Sequence, residues 1–186
     1  MNRQVVQKTW KRGFAQWVTV MASAILLISS CSGESETVSE TRPPVAAPAA
    51  PIVKPDVAGV KLTPKGFMAS ANLSGRDPKL VADGDTSTGW SSGDAPPQWI
   101  QLDLGEKVSI AQVLLSVDQY PDGPTVHEIY AGPTPETLKL IGTLKGDTRT
   151  NQWLELKAAA ADVRFVKVST VTSPSWVGWH EIEVYK

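Results

Sequence analysis

The chain has few cysteines and little net charge: one Cys and two His occur in 186 residues, and the formal net charge is -1. One cysteine cannot form a disulfide framework, and with two histidines it cannot form a zinc site of the usual Cys/His type. A near-neutral chain also lacks the basic surplus that attracts phosphate, which argues against a nucleic-acid binder. Aromatic residues are only 7% of the chain, yet seven residues are Trp. The positions of the Trp residues and of the single Cys are therefore informative.

The first 30 residues have the pattern of a secretory signal peptide. Basic residues but no acidic residue occupy the first 12 positions, and a charge-free run from Gly13 to Ser30 follows. This order corresponds to a charged n-region and an apolar h-region. The alternative is a transmembrane anchor, which needs about 20 apolar residues, whereas Ser23 and Ser29 interrupt this run. We therefore predict a signal peptide over residues 1–30.

The apolar run ends in Leu27-Ile28-Ser29-Ser30-Cys31, which resembles the lipobox of bacterial lipoproteins. The resemblance implies that Cys31 is the site of lipidation, against the alternative of an incidental thiol. Acyl chains would then be the only membrane anchor, since each buried CH₂ contributes about 0.8 kcal/mol. The implied location is the bacterial cell envelope, and Ser32 after the Cys favours the outer membrane in a Gram-negative cell. Without the four basic residues of the leader, 14 Lys and Arg stand against 19 Asp and Glu, a net charge of -5.

Residues 31–59 are rich in Pro, Ala, Ser, Glu and Thr and lack a hydrophobic period. Such a segment buries too little apolar surface to offset the entropy of ordering it. We predict a disordered tether, partly in polyproline II conformation, that holds the following domain away from the membrane. The alternative is a proline-rich partner motif, but no PxxP segment with flanking charges stands out.

Residues 60–186 contain short apolar runs separated by turn residues, and no run has a long 3.6-residue stripe. Apolar and polar residues alternate in most runs, as in Ile100, Leu102 and Leu104, which places such residues on one face of a strand. Turn pairs such as Gly105-Glu106 lie between the runs. The pattern indicates one all-β domain, an antiparallel β-sandwich or jelly roll. Seven strands are predicted, over residues 98–104, 110–117, 126–131, 138–144, 152–156, 163–169 and 180–185.

Four motifs occur along this domain in order. They are LVADGDTSTGW at 80–90, WIQLDLG at 99–105, RFVKV at 164–168 and GWHEIEVY at 178–185. Together they resemble the coagulation factor 5/8 type C, or discoidin, domain over residues 65–186. The resemblance implies the galactose-binding-like jelly roll that family 32 carbohydrate-binding modules share.

The first motif is an acidic loop in which Gly84 permits a tight turn. Calcium takes six to eight oxygen ligands of the kinds that this loop offers. By the resemblance, a structural calcium would join the loop to the last strand. The implied ligands are the carboxylates of Asp83, Asp85 and Glu181, the hydroxyl and carbonyl of Thr88, and the carbonyls of Leu80 and His180. The alternative is a solvated turn, with Glu181 pointing outward.

The Trp residues of the domain fall into two groups. Trp90, Trp99, Trp153 and Trp179 lie in or beside predicted strands, where we expect core packing. Trp176 lies in a loop of small polar residues, where an aromatic ring can contact the apolar face of a sugar; the alternative is a ring folded over the edge of the sandwich. His127 is predicted to be a core residue. From sugar-binding members of the family, the implied ligand-binding residues are Trp176, Tyr120, Gln119, Arg149 and Asn151.

These observations predict a non-catalytic module that binds a glycan or glycoconjugate and is displayed on a lipid-anchored surface protein. The alternative is a module that binds another surface protein or a phospholipid, the other use of discoidin domains. The neighbouring loops at 120–123 and 146–149 are not apolar, and a chain with a net negative charge is a poor match for anionic lipid. An enzyme is not predicted, since no Ser/His/Asp order, HExxH, CxxC or phosphate-loop motif is found.

Overall fold

The computed structural model describes residues 52–186, so the predicted signal peptide, Cys31 and most of the predicted tether lie outside the described residues. Short 3₁₀ helices occur at Pro78–Ala82 and Pro135–Thr137. No helix among residues 52–186 has the length and apolar character needed to span a membrane. The strands are β1 (Lys61–Leu62), β2 (Gly66–Ala69), β3 (Trp90–Ser91), β4 (Gln98–Asp118), β5 (Gly123–Gly132), β6 (Lys139–Thr148), β7 (Trp153–Thr172) and β8 (Gly178–Tyr185).

All strand pairs are antiparallel, and the strands follow the order β1-β8-β4-β7-β5-β6, with β2 beside β4 and β3 beside β8. Strand β4 is the centre of this arrangement. Its first half pairs with β2 and its second half with β8, while β7 runs along most of its length. The prediction of an all-β antiparallel sandwich is thus confirmed.

The predicted turn at Gly105-Glu106 and the predicted break between residues 156 and 163 are wrong, because each lies inside one continuous strand. Residues 98–104 and 110–117 belong to one strand, β4, and the predicted strands at 152–156 and 163–169 form the single strand β7 (Trp153–Thr172). At Gly105-Glu106 the register between β4 and β7 shifts without a reversal of the chain. Gly105 has a φ of +85° and its N–H donates to Asp103 Oδ1 at 2.8 Å. This is the behaviour of a β-bulge, in which glycine accepts a backbone conformation that other residues avoid.

The alternation of the sequence defines the core correctly. Ile100, Leu102 and Leu104 are buried together with Trp90 and Trp179. His127 is 3% exposed, which confirms its predicted core position. The prediction of core packing is wrong for Trp99 and Trp153, because both side chains are only half-buried. Lysines cover their rings instead: Lys167 Nζ lies 4.6 Å from the Trp99 ring centroid and Lys54 Nζ 5.0 Å from that of Trp153.

Residues 52–59, which the sequence assigns to the tether, lie against the domain. The Lys54 ammonium is 2.6 Å from Glu183 Oε2. After this segment, Val60 N donates to Lys186 O at 2.9 Å, and Lys186 N donates to Val60 O at 3.1 Å. The segment therefore contributes contacts to the fold, and the domain begins earlier than residue 60.

Candidate functional site

The acidic loop is organised by its own side chains. Asp83 Oδ1 accepts the Asp85 N–H at 2.9 Å and Asp83 Oδ2 accepts the Thr88 hydroxyl at 2.8 Å. Asp85 Oδ1 accepts the hydroxyl of Ser87 at 2.6 Å and its N–H at 2.9 Å, and these bonds lower the pKa of Asp85. Gly84, at a φ of +87°, allows the reversal between the two Asp residues. The loop thus holds several oxygen atoms close together.

The last strand, β8, contacts the acidic loop through Glu181. Glu181 is 1% exposed, and its Oε1 accepts the Gly84 N–H at 2.7 Å. Its Oε2 has no hydrogen-bond partner among residues 52–186; the Lys61 ammonium is 3.7 Å away. Burial raises the pKa of Glu181 to about 7. Glu181 therefore points inward, toward the loop, and not outward into solvent.

The donor set fits calcium in part. Asp83 adds to the rise in the pKa of Glu181 that burial causes, and the Thr88 hydroxyl contacts Asp83, so three of the expected side chains interact. The unpartnered Glu181 oxygen is an atom that a cation would satisfy. Asp85 is turned toward Ser87, and the Thr88 carbonyl lies 3.0 Å from His180 Nδ1. Among residues 52–186, no group of three or more His, Cys, Asp or Glu side chains is arranged to hold a metal ion. Carbonyl oxygens, including those of Leu80 and His180, would therefore have to complete the coordination shell of calcium.

A groove of about 590 Å³ lies where β4 ends and β8 begins, and Trp176 and Tyr120 line it. Trp176 is 57% exposed and Tyr120 is 88% exposed. The loop that carries Trp176 is fixed on both sides: Ser175 N donates to Ser173 Oγ at 3.2 Å, and the buried Val177 donates its N–H to Asp94 O at 3.2 Å. The ring of Trp176 is thus presented to solvent on a held loop, and is not folded over the sandwich.

Two charged residues, Arg76 and Asp118, line the same groove and were not identified from the sequence. Arg76 Nη2 donates to Asp118 Oδ2 across 42 positions of the chain. Asp118 ends β4, and its Oδ1 lies 3.8 Å from His180 Nε2. The sequence contains one signal for Asp118: it is a carboxylate that directly follows the predicted strand at 110–117 and precedes Tyr120 by two positions. Arg76 had none, because only the fold brings the 74–77 segment to β4.

The other predicted ligand-binding residues are elsewhere. Gln119 is 4% exposed: its Nε2 donates to Thr148 O at 3.0 Å and its Oε1 accepts the Thr148 hydroxyl at 2.7 Å, so it fixes neighbouring loops. Arg149 lines a second concavity of about 410 Å³, together with Asp122 and Trp153. Asn151 is exposed in the turn before β7, at a φ of +62°. The structure brings Tyr120 and Trp176 together but corrects the placement of Gln119 and Arg149.

The family model of the F5/8 type C domain matches residues 67–182, more than half of the chain. The chain belongs to the F5/8 type C domain family. No curated protein matches it.

Solved structures resemble this F5/8 type C domain. The CBM32 of AlyQ in complex with 4,5-unsaturated mannuronic acid is 22% identical with a TM-score of 0.60, covering 68% of this chain and 98% of that one. The family 32 CBM from C. perfringens NanJ in complex with galactose is 19% identical with a TM-score of 0.56, over 68% and 98%. Chitosan-binding module 2 in complex with chitotriose, from a chitosanase/glucanase of Paenibacillus sp. IK-5, is 26% identical with a TM-score of 0.58, over 67% and 98%. The F5/8 type C domain thus shares the fold of carbohydrate-binding modules.

Proposed function

We propose that this F5/8 type C domain is a non-catalytic carbohydrate-binding module whose ligand occupies the groove lined by Trp176 and Tyr120. The observation that carries the proposal is the exposure of these two aromatic rings on one groove. An exposed Trp is unusual, because Trp is highly buried on average. Aromatic faces with a few polar groups between them suit a sugar, which has apolar faces and a rim of hydroxyl groups.

The similar solved structures support the class of ligand. They are described as complexes with unsaturated mannuronic acid, galactose and chitotriose. These three ligands differ in charge and stereochemistry, and the identities of 19–26% do not transfer any one of them to this chain. The relatives therefore support glycan binding in general.

We also propose that the protein is held on the cell envelope by a lipid anchor and that it binds a structural calcium ion. The leader and Cys31 support a lipid-anchored protein of the bacterial cell envelope, and of the outer membrane if the cell is Gram-negative. Calcium would be held by Glu181, Asp83 and Thr88, with Asp85 if its side chain turns away from Ser87. Bound there, the ion would neutralise the carboxylates and fix the loop to β8 without contacting the glycan.

The second candidate is a module that binds a surface protein or a phospholipid. The exposure of Tyr120 and Trp176 favours it, since exposed apolar side chains on loops also serve in such contacts. Against a phospholipid ligand, the groove carries one cation that is already paired with Asp118. The net charge of -5 without the leader also opposes binding to an anionic membrane.

A glycan array probed with the full chain tests the proposal, in a detergent without a sugar headgroup so that the groove stays free. The best glycan is then titrated by calorimetry into the wild type, Trp176→Ala and Tyr120→Ala. We expect each variant to lose about tenfold or more in affinity, where tenfold corresponds to 1.4 kcal/mol. Leu140→Ala removes an apolar side chain of β6 whose exposure, 52%, is close to the 57% of Trp176, and this variant should bind normally.

Two results would overturn the proposal: an array without any bound glycan, or unchanged affinity in Trp176→Ala. Vesicles of phosphatidylserine serve as the comparison. Binding to these vesicles, in the absence of glycan binding, would establish the second candidate instead.

A further inference from the structure

The charged residues among those lining the groove are one cation and one anion, and they are paired. Arg76 uses Nη2 for this bond and Asp118 uses Oδ2. Asp118 Oδ1 accepts no hydrogen bond in the described part of the chain, since His180 Nε2 at 3.8 Å is beyond bonding distance. A guanidinium has five N–H donors, so Arg76 retains donors for a ligand. An acceptor and several donors therefore lie side by side, both partly exposed.

This pair complements two adjacent hydroxyl groups. A hydroxyl both donates and accepts hydrogen bonds, so one can donate to Asp118 Oδ1 while its neighbour accepts from Arg76. Such bonds to charged groups are roughly twice as strong as bonds between neutral groups. Neighbouring hydroxyls of this kind are what an unmodified sugar ring presents.

The same pair disfavours charged sugars. A sugar carboxylate at this position would lie beside the carboxylate of Asp118 or would have to break the Arg76–Asp118 pair. A sugar ammonium that donates to Asp118 Oδ1 would in the same way lie beside the like charge of the Arg76 guanidinium. Because the pair is neutral as a whole, attraction to one member and repulsion from the other offset each other, so a charged sugar loses hydration without a net electrostatic gain.

Asp118 is held in place by the strand beside it. It pairs with Gly178 of β8, where an added Cβ would lie 3.2 Å from the Cβ of Asp118 and 3.1 Å from its carbonyl oxygen. Glycine at 178 thus leaves room for the Asp118 side chain. Pairing of its backbone with β8 and the bond from Arg76 therefore position the acceptor before any ligand arrives, which reduces the entropy lost on binding.

We infer that Arg76 and Asp118 are specificity-determining residues that make the groove select neutral sugars with adjacent hydroxyl groups over uronic acids and amino sugars. The inference rests on the proposed function, since it names the class of sugar bound at that site. It concerns positions that sequence reasoning did not identify.

The test is a calorimetric panel of matched sugars with the full chain: galactose with galacturonic acid, glucose with glucuronic acid, and glucose with glucosamine. For the pair whose neutral member binds, we expect the charged member to bind at least about tenfold more weakly, a difference of 1.4 kcal/mol. Asp118→Asn keeps the shape of the side chain but removes its negative charge. The affinity for the uronic acid, relative to that for the neutral sugar, should therefore rise by about tenfold. Asp122→Asn, in the neighbouring concavity, should leave this ratio unchanged.

Failure of the inference is distinct from failure of the proposed function. One outcome overturns the inference alone: glycans bind to the wild type and not to Trp176→Ala, but the wild type binds uronic acids as tightly as neutral sugars. The carbohydrate site would then be supported, without the selectivity for neutral sugars. If no glycan binds at all, both fall. The wild-type panel decides the matter even if Asp118→Asn does not fold, which its melting curve would show.

Discussion

The backbone N–H of Gly84 donates to Glu181 Oε1 at 2.7 Å, which joins the acidic loop to the last strand. The other oxygen of Glu181 is buried without a hydrogen-bond partner among residues 52–186. A buried carboxylate that is only partly compensated is costly in free energy. A divalent cation at this place would supply the missing compensation, which makes calcium dependence measurable as stability.

We predict that saturating calcium raises the Tm of the full chain by about 5–10 °C, because a ligand that binds only the folded state stabilises it by a few kcal/mol. EDTA should reverse the shift. Asp83→Asn, which removes a carboxylate next to Glu181, should abolish it. Glu106→Gln removes an exposed acid from the β4 bulge and should keep it. Identical melting curves in calcium and in EDTA would contradict the metal site.

The contact of Lys54 with the domain predicts that the segment before β1 contributes to stability. The Lys54 ammonium contacts the buried Glu183 and the Trp153 ring. Burial alone would raise the pKa of Glu183, but bonds from Lys54, Lys61 and Tyr185 bring this pKa below its usual value. Lys54→Met keeps the aliphatic stem and removes the charge, and we expect it to lower the free energy of unfolding by about 1–2 kcal/mol.

The matched control is Lys157→Met. Lys157 is exposed and lies 3.2 Å from Glu155, and a surface pair of this kind contributes between about 0 and 1 kcal/mol. Urea denaturation followed by Trp fluorescence measures both variants. Equal losses for the two lysines would mean that residues 52–59 are not held by this contact.

His127 predicts a dependence of stability on pH. Burial lowers its pKa to about 4, whereas an unfolded His titrates near 6.5. Above pH 6.5 both states are neutral at this side chain, so it has no effect. As the pH falls from 6.5 toward 4, the unfolded state takes up a proton that the folded state excludes, and stability is lost. Between pH 7 and pH 5 this amounts to about 2 kcal/mol.

The measurement is the free energy of unfolding of the wild type and of His127→Gln at pH 7 and pH 5. Carboxylates also titrate in this range, so the difference between the two proteins isolates the histidine. The variant should be less stable at pH 7, because His127 Nδ1 bonds with Thr170 Oγ1 at 3.0 Å, yet it should lose less on acidification. Parallel losses in the two proteins would disprove the assignment.

The periodicity of the sequence was enough for the sandwich and for its core, because burial of one face imposes the alternation seen at Ile100, Leu102 and Leu104. It was not enough for the bulge at Gly105. A glycine followed by charged residues is compatible with a reversal of the chain and with an interruption of its pairing. Only pairing with β7 decides between them, since Asp103 pairs with Phe165 before the bulge and Val108 pairs with Val163 after it.

The sequence predicts those parts of the candidate site that depend on one residue alone, and it does not predict those that depend on contacts between distant residues. Trp176 in a polar loop was an unusual position, and the structure exposes it. Gln119 has the same polar character as a ligand-binding residue, but its amide is used by Thr148, which is 29 positions away. Arg76 and Asp118 acquire a shared role only when folded, since 42 positions separate them.

The place of β8 in the sheet has a consequence for the order of folding. This strand, formed by residues 178–185, lies between β1 and β4, so the pairing of Lys61 with Tyr185 joins distant parts of the chain. A nascent polypeptide emerging from the ribosome cannot complete the sheet until β8 is available. Until then, one edge of β4 stays open to unwanted pairing. Closure of such distant pairs is slow, so we expect the sheet of this domain to close only after residues 178–185 have been synthesised.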